Sequence, residues 1–156
     1  MAELLTNNID VNTSDNKKYL FEQYKLFVDL ADRISQRRAV NNNFFITVNA
    51  ALLTVASWFK ESFGNYIYLI SFVGIMISIF WFLSIRSYKQ LNTGKFKVIH
   101  ELENHLPAQM FSYEWEILGK GKQQNNYFPI SHIEMFIPFI FIILYIALSI
   151  FKCFNF

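Results

Sequence analysis

"NNNFFITVNAALLTVASWFKESFGNYIYLISFVGIMISIFWFLSIRSYKQLN", residues Asn41 to Asn92, holds two apolar blocks joined by a short polar turn. An α-helix needs about 20 apolar residues to cross the ~30 Å hydrocarbon layer of a bilayer. Tyr66 to Ile85 meets that length almost without interruption. Phe44 to Phe59 is shorter, about 24 Å at 1.5 Å per residue, and Thr47, Asn49, Thr54 and Ser57 interrupt it at helical spacing. Help is available at both ends. Asn41 to Asn43 suit the headgroup zone, and Trp58 beside Lys60 and Glu61 suits the opposite interface.

A third block, Ile133 to Phe151, is apolar on every face apart from Glu134, Tyr145 and Ser149. The pattern predicts an all-α integral membrane protein with three transmembrane helices over 44–59, 66–85 and 132–151. A long N-terminal amphipathic helix over 15–43 precedes them, after a disordered stretch over 1–14. A helical loop region fills 86–131, and 152–156 form a tail. Lys and Arg set the orientation. Lys17, Lys18, Lys25, Arg33, Arg37 and Arg38 precede the first span, and Arg86, Lys89, Lys95, Lys97, Lys120 and Lys122 lie between the second and third, whereas the turn has only Lys60 and the tail only Lys152. The N-terminus and the long loop are therefore expected in the cytoplasm, and the C-terminus outside.

Composition agrees with a lipid environment. Of 156 residues, 53% are hydrophobic and 17% charged, more apolar than an ordinary soluble domain. The net charge of +2 comes from mixed signs, so no basic field for nucleic acid stands out. Cys153 is alone, which excludes an intramolecular disulfide. The closing residues Cys153 to Phe156 have the bare shape of a prenylation box, but Asn155 is not aliphatic. The first twenty residues lack the apolar core of a secretory signal.

From Asp15 to Phe63 there is neither Gly nor Pro, and Ser14 or Asp15 offers an N-cap, so one long helix is expected. Leu20, Tyr24, Phe27, Ala31 and Ile34 recur at spacings of 4, 3, 4 and 3, a heptad-like seam widened by Phe21 and Val28. Lys18, Glu22, Lys25, Asp29, Asp32 and Arg33 mix both signs on the opposite face. A helix lying on anionic lipid would carry mostly cations there, so the seam is expected to pack on protein. Asn92-Thr93-Gly94 predicts a break after the second span, with a further helix carrying Phe96, Ile99, Leu102 and Leu106 up to Pro107. Ser112 is expected to cap a short helix closed by Gly119.

Ser131-His132-Ile133-Glu134 has the form of a capping box at the start of the third span, with Ile130 and Met135 as its staple. Pro138, two turns on, removes one backbone hydrogen bond and should bend the helix.

Little here suggests chemistry. His100 and His105 are five apart, whereas a zinc-protease helix needs them four apart on one face. Gly119-Lys120-Gly121-Lys122 lacks the spacing of a phosphate loop and reads as a flexible turn. Cys153 has no His near it in sequence. No enzyme activity, cofactor or metal is expected, and no catalytic residue can be named.

Organisation is better marked. Thr47, Ala50, Ala51, Thr54 and Ser57 form one narrow stripe of small or hydroxylated side chains, with Asn49 at its border. Ser71, Gly74 and Ser78 form another on the second span, while the third span looks lipid-facing. An unpaired amide in hydrocarbon is costly, so Asn49 is expected to meet another copy of the chain or to line a hydrated space. These eight residues, Ala51 aside, are the candidates for an oligomer interface or pore lining.

RISQRRAVNNNFF, FWFLSIRSYKQLNTGKFKVIHELENHLP, YEWEILGKG and YFPISHIEMFIP, in that order, cover about two thirds of the chain. These stretches resemble the RipA family of octameric small inner-membrane proteins of bacteria. The resemblance implies a ring of eight in the bacterial cytoplasmic membrane and brings no catalytic residues. In layout the chain is also similar to the SLATT group of small membrane effectors in bacterial nucleotide-linked defence, though it has three spans rather than two and no attached sensor domain.

The reading that follows is a non-enzymatic homo-oligomer that needs no cofactor and whose expected partners are its own copies, the bilayer and a cytoplasmic protein. It would serve as a membrane scaffold or docking platform. A pore- or channel-forming protein is the alternative.

Overall fold

The computed structural model describes residues 4, 13–58, 66–121 and 130–154. They form helices α1 (Ser14–Trp58), α2 (Tyr66–Glu103), α3 (Met110–Ile117) and α4 (Ile130–Phe154), with a 3-10 turn at Gly119–Gly121. The architecture is all-helical, with no strand among the described residues. α1, α2 and α4 each contain a stretch long and apolar enough to cross a membrane, with best-window mean hydropathies of 1.2, 2.2 and 2.4. The first span is the most polar of the three, as its hydroxyls and amide lead one to expect.

The chain divides into two units. One comprises Arg37–Tyr88 and Ile130–Phe156 and holds the apolar spans. The other comprises Met1–Gln36 and Lys89–Pro129 and holds most of the charge.

In the charged unit the seam is buried. Leu20, Tyr24 and Ala31 form a core with Ile99 and Leu102 of α2, and Phe27, Val28, Phe96, Leu106 and Phe111 pack around it. Ile34 is buried as well. The heptad-like pattern is thus consumed within one chain. Periodicity shows that a face is covered, and does not say by which molecule, so the expectation that this seam joins neighbouring subunits is replaced by an intramolecular contact.

Three boundaries in the charged unit differ from expectation. The first hydrogen bond of α1 runs from the Lys17 N–H to the Thr13 carbonyl at 3.0 Å, which puts the cap one residue before Ser14. α2 passes unbroken through Asn92-Thr93-Gly94. Gly94 faces open space, Thr93 donates its hydroxyl to the Lys89 carbonyl at 2.9 Å, and a helical glycine costs only about 1 kcal/mol. Burying Ile99 and Leu102 on the same helix outweighs that. α3 starts at Met110, two residues before Ser112; it does end as expected, with Gly119 in the left-handed region at φ 66°.

In the apolar unit, α4 begins at Ile130 and runs through Pro138, which is buried. Ser131 therefore stands inside the helix, and its side chain, like that of Ile130, lies outside the described residues. Glu134 turns one carboxylate oxygen toward Arg38, Oε2 lying 3.3 Å from Nε. Phe136, Ile140, Ile143 and Phe151 are exposed along α4, an outer surface suited to acyl chains.

Candidate functional site

The apolar unit encloses a column of polar contacts, and Asn49 stands at its centre. Asn49 is completely buried. Its amide N–H donates to the Phe45 carbonyl one turn back at 2.8 Å. Its Oδ1 accepts from the Ser78 hydroxyl on α2 at 3.2 Å and from the Tyr145 hydroxyl on α4 at 3.2 Å. Each hydroxyl shares its hydrogen with a second acceptor, Ser78 with the Gly74 carbonyl at 2.9 Å and Tyr145 with the Asn49 carbonyl at 3.3 Å. One amide thereby joins all three spans. In hydrocarbon no water is at hand to replace such a partner, so the polar groups of a span are satisfied by protein.

Gly74 makes this junction possible. A side chain there would overlap the hydroxyl end of the Tyr145 ring, so the small residue seats the tyrosine. Ser71 is buried one turn further along. Asn49, Ser71, Gly74 and Ser78, expected at an interface between copies or along a pore, are all enclosed within a single chain. The third span, expected to carry little of this kind, supplies the partner through Tyr145. Sequence periodicity identified the right side chains and assigned them the wrong company.

Toward the start of the first span the column continues. The Trp81 indole N–H donates to Asn42 Oδ1 at 2.9 Å, and the Asn41 amide donates to the Ser84 hydroxyl at 2.9 Å. Trp81 is completely buried, stacked on Phe45 at 5.8 Å and tilted against Phe141 at 5.9 Å. Asn41 and Asn42, read from sequence as headgroup residues, are paired to α2. The partly buried Arg38–Glu134 pair joins α1 to α4 in the same unit.

The other half of the stripe on α1 has a different fate. Thr47, Ala50, Ala51, Thr54 and Ser57 are exposed on the chain. Their hydroxyls need no partner from outside. Thr47 donates to the Asn43 carbonyl at 2.8 Å, Thr54 to Ala50 at 2.9 Å and Ser57 to Leu53 at 2.8 Å. This back-bonding hides the polar atom and leaves a smooth face with short side chains.

The charged unit has its own polar centre, which sequence reasoning missed. Glu103, which no sequence pattern singled out, is completely buried. Its Oε1 accepts from the Phe111 N–H at 2.8 Å and the Tyr24 hydroxyl at 3.1 Å. Its Oε2 accepts from the Ser112 N–H at 2.9 Å and the Ser112 hydroxyl at 2.7 Å. A carboxylate at the last residue of α2 thus caps the start of α3, satisfying N–H groups that have no partner inside the helix. Burial alone raises the Glu103 carboxyl, but the hydrogen bonds from Ser112, Phe111 and Tyr24 together outweigh it and hold the group below its ordinary value. Tyr24 is pushed up to about 12, by burial first and then by the Glu103 carboxylate it faces. The available signal was the turn after Glu103: a helix that ends a few residues before another begins can lend its last side chain as a cap.

A family model for the octameric membrane protein family (8xMP) matches residues 21–154. The chain belongs to that family. The match takes in all three spans, the Asn49 junction and the Glu103 cap. It agrees with the octameric character implied by the resemblance in sequence. No curated protein and no solved structure matches the chain.

Proposed function

We propose that this member of the octameric membrane protein family is a non-enzymatic, self-assembling scaffold of the bacterial cytoplasmic membrane. Its N-terminus and its charged unit lie on the cytoplasmic side, where they offer a docking surface to a protein partner. The observation that carries the reading is the division of α1 into two faces. Its buried polar residues are saturated inside the chain, while Thr47, Ala50, Ala51, Thr54 and Ser57 form a small-residue face that favours close approach of another helix.

Exposure of that same face supports a second reading, in which Thr47, Thr54 and Ser57 line a central path and the assembly conducts. Conductance recording on the reconstituted protein separates the two. A scaffold stays silent across the voltages applied, and Thr54→Leu changes its assembly alone. Unitary currents that Thr54→Leu alters in size would replace the scaffold with a pore.

A further inference from the structure

The charged unit keeps two apolar faces uncovered. On α3, Met110, Tyr113 and Ile117 recur at spacings of 3 and 4 and are 60%, 67% and 60% exposed. The opposite side of α3 is occupied, since Phe111 and Ser112 hold Glu103. On α1, Tyr19 and Leu26 stand two turns apart and are 67% and 57% exposed. These side chains are not explained by acyl chains: Glu114 and Glu116 interrupt α3, and Glu22 and Arg33 stand in line with Tyr19 and Leu26.

The two faces lie on opposite flanks. At 3.6 residues per turn, Tyr19 and Leu26 are rotated about 110° from the buried seam of α1 in one sense. Val28 and Asp32 are rotated about 80–120° in the other. It is on the Val28 and Asp32 side that α3 attaches, for an open groove there is lined by Tyr24, Val28, Asp32, Met110 and Phe111. A closed ring built head to tail requires this arrangement, because each subunit presents two different surfaces, one to each neighbour. Met, Tyr and Ile on a rim of mixed charge also match the composition of interface cores better than that of free surface.

We propose that the Met110, Tyr113 and Ile117 face of α3 docks against the Tyr19 and Leu26 flank of α1 in the next copy of the chain. The inference rests on the self-assembly proposed above and adds to it the contact, its polarity and its elements.

The test is disulfide cross-linking of the full chain in membranes, on a Cys153→Ser background. Leu26→Cys combined with Tyr113→Cys should give a ladder of covalent species reaching the eight-subunit product, and either substitution alone should give none. Tyr19→Cys with Ile117→Cys is the independent second pair. Covalent dimers from a single cysteine would show a symmetric contact and overturn the proposal. So would the absence of cross-links from both pairs while native mass spectrometry still reports the assembly, which would assign the α3 face to lipid or to another protein. A monomeric mass for the uncross-linked parent would instead remove the self-assembly on which the proposal stands.

Discussion

The hydroxyl end of the Tyr145 ring occupies the space that a side chain at Gly74 would need, and from that seat it reaches Asn49 at 3.2 Å. α4 is thereby keyed to α1 and α2 by one ring and one missing side chain. Gly74→Ala should destabilise the apolar unit by about 1–3 kcal/mol, the usual cost of overpacking. Tyr145→Phe removes only the hydroxyl and should cost about 1 kcal/mol. In a Tyr145→Leu background the penalty of Gly74→Ala should shrink, because the clashing atoms are gone. Thermal unfolding of the wild type and these four variants in detergent checks this; equal penalties in both backgrounds would separate the glycine from the tyrosine.

The exposed face of α1 gives a prediction of the opposite kind. Thr54→Leu adds bulk where nothing within the chain opposes it, so the helical content and melting of the subunit should hardly change. Association should weaken, by about 1–3 kcal/mol per contact if neighbouring copies approach there. Size-exclusion chromatography with light scattering over a dilution series should show smaller species for the variant at concentrations where the wild type remains assembled.

Glu103 makes the charged unit sensitive to acid. Its carboxyl is held below the ordinary value of 4.5. A lowered value in the folded state contributes stability that is present above about pH 4.5 and is lost as the pH falls through the folded value. Protection of the amides across Met110–Ile117 against hydrogen exchange, taken relative to the intrinsic rate at each pH, should therefore fall on acidification in the wild type. Glu103→Gln should be less protected at neutral pH, and its protection should change little further in that window. Glu103→Ala, which leaves the Phe111 and Ser112 N–H groups without their acceptor, should cost about 1–3 kcal/mol.

Tyr24 carries the complementary alkaline signature. With its folded value pushed up to about 12, it stabilises the fold fully below its ordinary value of 10 and loses that contribution as the pH rises through 12. Difference absorbance near 295 nm should show Tyr24 among the late-ionising tyrosines of the wild type, and the late component should shrink by one tyrosine in Tyr24→Phe.

Much of this architecture was legible in the sequence because membranes impose simple rules on it. Length and hydropathy located the spans, and the heptad-like seam and the Phe96, Ile99, Leu102 series identified the two helical faces that meet in the charged unit. What sequence could not supply was pairing. Asn49 announced that it needed a partner, but an amide is satisfied equally by a hydroxyl on α4 or by a neighbouring subunit. Only the register between helices decides which. Gly94 misled for a related reason, since a local cost of about 1 kcal/mol says nothing of the burial further along the helix. Glu103 was hidden because its value lies in a turn geometry that brings Phe111 and Ser112 back onto it.

The most direct test of the central claim, that Asn49 and the hydroxyls of Ser78 and Tyr145 satisfy one another inside each subunit, is Asn49→Leu followed by two readings of one sample. Native mass spectrometry from lipid nanodiscs should give the same subunit number as the wild type, while the melting temperature of the helices falls by several degrees as Ser78 and Tyr145 lose their shared acceptor. Dissociation into subunits with unchanged melting would contradict the account, placing the amide between copies instead of within one.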